Sequence, residues 1–411
     1  MSSVLPGMPA KTTPELAARL AGWALTYQAE PLDRALANRS LRDTLSVAAA
    51  ARGHREVPLF AMLGPAGRLA ALAHLIDYDD LHVPTTTHIS AVCVAAALAT
   101  GGGADAYLAG AGVMARLGTM LGWRHYHAGW HATCTAGAPA AAVTAAVALG
   151  LDAPAIRVAI ALAIPSAGGV NRAFGTSGKA LQVGFAVDAG VRAARLAGAG
   201  ASADGGALGQ WLALVGGAEA DPPDTPAIPG GLAVKAYPCC YALQRPIAAT
   251  LEALNGERPP PADVQGVIVR APLVTVRPLI HDRPGTGLEG KFSLQYGVAA
   301  AILDGIPGLA SFTDAAVRRP DAQQIIDRVR LETTPGGEDL LAGATEIELL
   351  LAGGERYATR LETPPGAPAK PLGDADLARK ARDCAGPHDA SEIIAADWDG
   401  ARTLVDQWFE N

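Results

Sequence analysis

From about Thr13 to Ala220 the apolar residues recur at every third or fourth position, and Ala and Leu dominate over β-branched residues. That spacing predicts one helix after another. Between Glu15 and Tyr27, Leu16, Leu20, Trp23 and Ala24 line one face, and Thr13 followed by Pro14 predicts an N-cap and a first-turn proline. Asp152 ahead of Pro154 predicts another start, and the Ala and Gly content of residues 136–163 lets helix backbones approach closely. Past Pro238 the period changes. Pro259, Pro260 and Pro261 precede VQGVIVRAPLVTV, a β-branched run too short and too apolar for a surface helix, and RVRLETT near Arg328 to Thr334 is a second strand. In TEIELLLAGGERYATRLE, alternating Ile347, Leu349 and Leu351 lead into Gly353 and Gly354, which predicts a β-hairpin. FSLQYGVAAAILDG and PDAQQIIDRV read as helices between the strands, and the tail from residue 374 is helical again. The expected fold is mainly α with an α+β second domain. A large all-helical domain spans residues 1–238, an α+β unit spans 239–373, and helices in 374–411 return to complete the first domain.

Composition narrows the class. A chain of 411 residues exceeds the roughly 250 to 300 at which single cores stop growing. Half of the residues are apolar and 18% are charged, which excludes a disordered chain. The 27 Arg and 6 Lys are scattered among 40 acidic residues, so no basic stripe exists for nucleic acid. The longest apolar stretch, Ala136 to Leu151, is interrupted by Pro139 and falls short of the roughly 20 residues of a membrane span. MSSVLPGMPAKTTPE lacks a basic segment followed by an apolar one, so a cytoplasmic protein is expected. Cys93, Cys134, Cys239, Cys240 and Cys384 show no CxxC spacing, which argues against a disulfide framework and a thiolate zinc site.

Six of the nine histidines fall between His74 and His131, where acid and base groups are first to be sought. His125, His127 and His131 in RHYHAGWH invite a metal reading, yet no acidic residue lies among them and the HExxH spacing is absent. No metal or other cofactor is expected, and His125 and His127 are expected to be exposed loop residues. TGGGADA at Thr100 to Ala106 lacks the GK[ST] ending of a phosphate loop and predicts a helix-to-helix connection. No GxSxG elbow supports a covalent hydrolase. Against 27 Arg, each Lys is informative. Lys179, Lys235 and Lys291 lie beside Gly or Pro at helix edges, where a Lys is either a solvated charge or an anchor for a carboxylate.

Five ordered blocks carry a family resemblance: HLIDYDDLHVPTTTHIS from His74, GWHATCTAGAPAAAVTAAVALGLD from Gly129, GKALQVGFAVDAGVRAARLAGAGASA from Gly178, KAYPCC from Lys235, and RPGTGLEGKFSLQYGVAAAILDG from Arg283. With these the chain resembles the MmgE/PrpD family. The resemblance implies a helical domain completed by C-terminal helices, a smaller α+β lid, a homodimer, and a site between domains that needs no cofactor. It places Asp77, Asp80, His88, His131, Lys179, Lys235 and Tyr296 in that site. Two positions depart from the family pattern. Leu81 follows Asp80 where many members have Thr, and Gln244 stands where relatives carry a histidine nine residues after the KxYP lysine. Gln244 cannot titrate, while neighbouring Arg245 offers a planar fork for a carboxylate.

The implied activity is proton abstraction beside a carboxylate of a small di- or tricarboxylic acid, which needs a base and cations to hold the developing charge. Lys179, Lys235 and Arg245, with Asp77 and Gln244, are expected to hold the substrate. His131 or His88 moves the carbon-bound proton, Tyr296 is the candidate acid, and Asp80 orients a histidine. A lyase, by dehydration or decarboxylation, is the expected outcome, with epimerisation of a dicarboxylate such as an iminodisuccinate-like compound as the alternative and, from another class, a carboxylate-binding scaffold that keeps the fold without the chemistry. No membrane or nucleic-acid partner is expected.

Overall fold

The computed structural model describes residues 14–221 and 223–410. Thr13, the expected cap, lies outside them, and the first helix, Leu16–Thr26, begins after Glu15, whose carbonyl accepts from Arg19 N–H. Asp152 caps Ala153–Ala163 as expected, its side chain accepting from Ala155 N–H at 2.9 Å.

The helical part is built around Ala132–Ala148, in which residues 132–146 are all buried. Helices Ala104–His127, Ile89–Ala99, Ala153–Ala163 and Ser177–Gly198 surround it. Small residues allow this. A Cβ at Gly190 would lie 2.5 Å from the Ala138 carbonyl oxygen, and one at Gly110 would lie 1.7 Å from Thr144 Oγ1. Asp188 of Ser177–Gly198 accepts from the N–H groups of Gly64 and Gly67 at 2.7 and 2.6 Å. It thereby caps Pro65–Leu75 and sets the register of two helices that both reach the site.

The C-terminal helices Asp374–Ala395 and Trp398–Glu410 lie against Pro31–Ala51, and the second also meets Ile89–Ala99. Their Cys384, Ile393, Trp398, Val405 and Trp408 share one buried cluster with Leu41, Leu45 and Val92. A buried ion pair joins the layers, with Lys380 Nζ 2.8 Å from Asp43 Oδ1.

The α+β part has its own buried cluster and a four-stranded sheet in the order β2-β1-β3-β4. Strand β1 (Val264–Pro272) runs parallel to β2 (Val329–Thr334) and antiparallel to β3 (Thr345–Leu351), and β3 forms the expected hairpin with β4 (Arg356–Leu361). The parallel pair requires a crossover, supplied by Leu294–Asp304 and Pro320–Ile326. The run expected to be extended through Val276 stops at Pro272. That residue has no N–H to continue the ladder, and Leu273–Val276 turns helical.

The expected exposed loop at His125 and His127 is corrected. Ala104–His127 continues through both, bent at Gly122, whose φ is 64°. His125 is buried, with Nδ1 2.9 Å from the Val215 carbonyl and Nε2 2.9 Å from Thr135 Oγ1. His127 is half-buried and receives a hydrogen bond from Arg277 at 2.6 Å. The Gly-rich Thr100–Gly103 stretch is a helix-to-helix connection, as its composition predicts.

Candidate active site

Four helix ends converge on one buried cluster. His74 sits in the last turn of Pro65–Leu75, His88 immediately precedes Ile89–Ala99, His131 immediately precedes Ala132–Ala148, and Lys179 lies in the first turn of Ser177–Gly198. Three positive helix ends therefore point at the cluster, a field that favours anions and disfavours imidazolium. Between His74 and His88 the chain reverses through Asp77, whose φ of 55° is left-handed, a conformation that a short polar side chain tolerates. A strap arriving from the helical part is tied to this loop by two hydrogen bonds between Leu81 and Ala233, at 2.9 and 2.8 Å, and delivers Lys235. Leu81 itself packs with Val83, Ala233, Tyr241 and Leu340, where a hydroxyl would find an apolar pocket.

Asp77 Oδ1 accepts from Lys179 Nζ at 2.9 Å and from Lys235 Nζ at 3.1 Å, and Lys235 also donates to the Asp77 carbonyl at 2.8 Å. Asp79 Oδ2 lies 2.7 Å from His74 Nδ1 and 3.0 Å from His88 Nδ1, the second contact off the line of a good hydrogen bond. Lys179 Nζ lies 2.6 Å from His74 Nε2. A carboxylate only accepts and an ammonium only donates. His74 therefore carries its proton on Nδ1 and accepts from Lys179 at Nε2. His88 Nδ1 lies against the same carboxylate without closing a hydrogen bond, and a proton on that nitrogen would leave the lone pair on Nε2, 4.0 Å from Asp77 Oδ1.

Burial alone would push Asp77 up, but the Lys179 and Lys235 ammonium groups hold it well below the carboxylate range. Asp79 is likewise kept ionised against burial by His88 and His74. His88 is pulled down to about 3, first by burial, with Lys235 adding to it and Asp79 opposing. His131 also falls well below the ordinary imidazole value through burial and then His74 and Lys179. Lys235 rises because Asp77 and Asp79 outweigh burial. The cluster thus holds charged lysines and aspartates around uncharged imidazoles. Phe174 and Phe292, stacked at 5.3 Å between ring centres, close it from opposite domains, each within 5.8 Å of Lys179 Nζ.

Residues 60–210 match the MmgE/PrpD N-terminal domain and residues 237–399 match the MmgE/PrpD C-terminal domain. The chain belongs to the MmgE/PrpD family. Curated relatives include cis-aconitate decarboxylase of Homo sapiens, 27% identical over 298 residues, covering 67% of this chain and 59% of that protein. The Mus musculus protein of the same name is 28% identical over 291 residues, covering 65% of this chain and 57% of its own length. The similarity thus spans less than two thirds of either relative.

Of the positions matched to the family, Asp77, His88, His131, Lys179 and Lys235 come together, and four expected roles need correction. Asp80 does not orient a histidine. It faces Ser90, with Oδ2 2.5 Å from the hydroxyl, and burial pushes its carboxyl up to about 7. Tyr296 is buried in the core of the α+β part and donates to the Ser311 carbonyl, so no acid role fits it. Gln244 holds the turn of KAYPCC by accepting from Ala236 and Tyr237 N–H and donating to the Tyr237 carbonyl. Arg245 spends its fork on backbone carbonyls of Leu340, Leu341, Ala342, Gly343 and Glu362. Lys291, like Lys179 and Lys235, is buried and not solvated. It donates to the Pro238 carbonyl, and burial lowers it to about 8.

Two members of the network, His74 and Asp79, were given no site role by the sequence. The HLIDYDD block contains both, but in a helix end followed by a loop no spacing rule says which of three Asp faces an imidazole. His74, Asp79 and His88 are also the described residues close enough to share a metal ion, which calls for a test of fit. A metal on His74 Nδ1 would require the proton on Nε2, and there the Lys179 ammonium abuts it at 2.6 Å. A dication there would meet that positive charge, so the donor set does not fit a metal.

Proposed function

We propose that this chain is a lyase acting on a small di- or tricarboxylic acid: it removes the proton from the carbon beside a carboxylate as a β-hydroxyl leaves with its electron pair, or it releases carbon dioxide and returns a proton to the carbon skeleton that keeps the pair. One observation carries this reading: His88 Nε2 stands 4.0 Å from the Asp77 oxygen to which two lysine ammonium groups donate, in a buried setting that favours the uncharged imidazole. Such a C–H bond is very weakly acidic. Removing its proton demands a base in reach and fixed positive charge where the enolate forms, and Lys179, Lys235 and three helix ends supply that charge. Asp79 orients the base as a carboxylate orients imidazole in other acid–base sites. The aromatic wall of Phe174 and Phe292 keeps water out, which strengthens each of these charges. The relatives named cis-aconitate decarboxylase support carbon dioxide as one leaving group. A homodimer and a reducing, cytoplasmic setting belong to the same proposal, the latter in keeping with five free, buried cysteines.

The test is incubation in deuterated water with a panel of citrates, aconitates and hydroxydicarboxylates, following carbon-bound exchange and product by NMR. The expected result is deuterium beside a carboxylate together with an alkene product or carbon dioxide. Binding of several panel members without exchange or conversion would instead leave a carboxylate-binding scaffold.

A further inference from the structure

Gln182, in the second turn of Ser177–Gly198, reaches His131, and its amide can be oriented without ambiguity. The Val170 N–H must donate, and it lies 3.0 Å from Gln182 Oε1; the Val170 carbonyl must accept, and it lies 3.2 Å from Nε2. Val170 is itself held fast. Its segment pairs with the residues around His131, through His131 N–H to the Gly169 carbonyl and Asn171 N–H to the Gly129 carbonyl, both at 3.0 Å. Gly169, at φ 132°, permits the approach, since a Cβ there would lie 2.8 Å from that of Cys134. The Gln182 NH2 group therefore faces His131 Nδ1, at 2.6 Å. From the other side the Cys134 thiol, kept protonated by burial, lies 3.3 Å from the same nitrogen. The Gln182 amide is fixed as a donor, so Nδ1 carries a lone pair.

Resting on the proton-abstraction reading above, we infer that Gln182 is a positioning residue that locks His131 in the uncharged Nε2–H form, which makes His131 a hydrogen-bond donor to the developing enolate and leaves His88 as the histidine base. Protonating His131 would place a proton on Nδ1 against the Gln182 amide donor, so it stays neutral, as burial and the neighbouring Lys179 also favour. In the step, the substrate C–H bond breaks, N–H forms at His88 Nε2, and the electron pair moves onto the carboxylate, whose oxygens His131 Nε2–H and the lysines hold. His131 neither gains nor loses a proton. The assignment also argues against a two-histidine epimerase, because the nitrogen left to His131 for the substrate has no lone pair.

Nitrogen-15 NMR of the full chain, with the His131 signals assigned by their loss in His131→Gln, reads the tautomer directly. An Nε2–H pattern at neutral pH is expected, changing to Nδ1–H in Gln182→Glu; an Nδ1–H or imidazolium pattern in the unsubstituted chain overturns the inference, whatever the activity. Kinetics gives a second readout. If His131 only donates, His131→Gln keeps a donor and should turn over ~10-fold faster than His131→Leu, which loses roughly 10². Equal, complete loss in both would mark a titrating role and sink the assignment. An Nε2–H signal without substrate exchange would instead remove the lyase reading and leave the tautomer standing.

Discussion

Asp79 faces His88, with 3.0 Å between Oδ2 and Nδ1, while its neighbour Asp80 turns away to Ser90. Adjacent carboxylates thus have opposite environments, one held ionised between two imidazoles and one driven towards neutrality by burial. Asp79→Asn offers His88 an amide that can donate as well as accept, and so permits the wrong tautomer. We expect kcat to fall by ~10² to 10⁴ with the fold intact, and Asp80→Asn to leave kcat within about threefold. Steady-state kinetics of the two variants checks the order, and the reverse order would return the orienting role to Asp80.

Asp80 also makes stability depend on pH. Its carboxyl is raised from 3.8 to about 7 in the fold, so between those values the folded chain binds more protons than the unfolded one. This contribution is present in full below pH ~4, declines as pH rises towards 7 and is gone above it. Urea unfolding of the native chain and of Asp80→Asn at pH 5 and pH 8 should show the variant gaining relative stability at pH 8. An identical difference at both values would contradict this.

Arg245 and Tyr296 are expected to matter to folding and little to turnover. Arg245→Lys cannot satisfy five carbonyls with one ammonium, and should lower the melting temperature by several degrees while KM stays within about threefold. Tyr296→Phe leaves the Ser311 carbonyl without its donor, at a cost of about 1–3 kcal/mol, with kcat unchanged. A kcat loss above tenfold in a folded Tyr296→Phe chain would restore the acid role.

Lys380 joins the C-terminal helices to the site loop, donating to the Tyr78 carbonyl and pairing with Asp43, each at 2.8 Å. Lys380→Met leaves Asp43 buried without its ammonium partner, to be held there either as a charge or at the expense of taking up a proton, a loss of about 3–5 kcal/mol. The Lys380→Met, Asp43→Leu double variant should recover most of that stability. Chemical denaturation of the single and double variants checks it, and additive losses would show that the pair is not coupled.

Much of this protein was legible along the chain. Period-3.6 and period-2 patterns located the helices and the hairpin at Gly353 and Gly354, because burial acts on neighbours at fixed spacing. The scarce lysines were legible for a related reason: Lys179, Lys235 and Lys291 are all buried, and a sequence rich in Arg keeps Lys where a compact, paired charge is needed. Pattern could not say that His125 turns inward on a helix, or which of Asp77, Asp79 and Asp80 meets an imidazole. Nor could it show that the Arg245 fork is consumed by a loop almost 100 residues away. Those outcomes depend on distances between segments remote in sequence. His131 is the plainest instance: its proton position follows from Gln182 and Val170, whose places are set by helix ends and one backbone bridge that only the folded chain brings together.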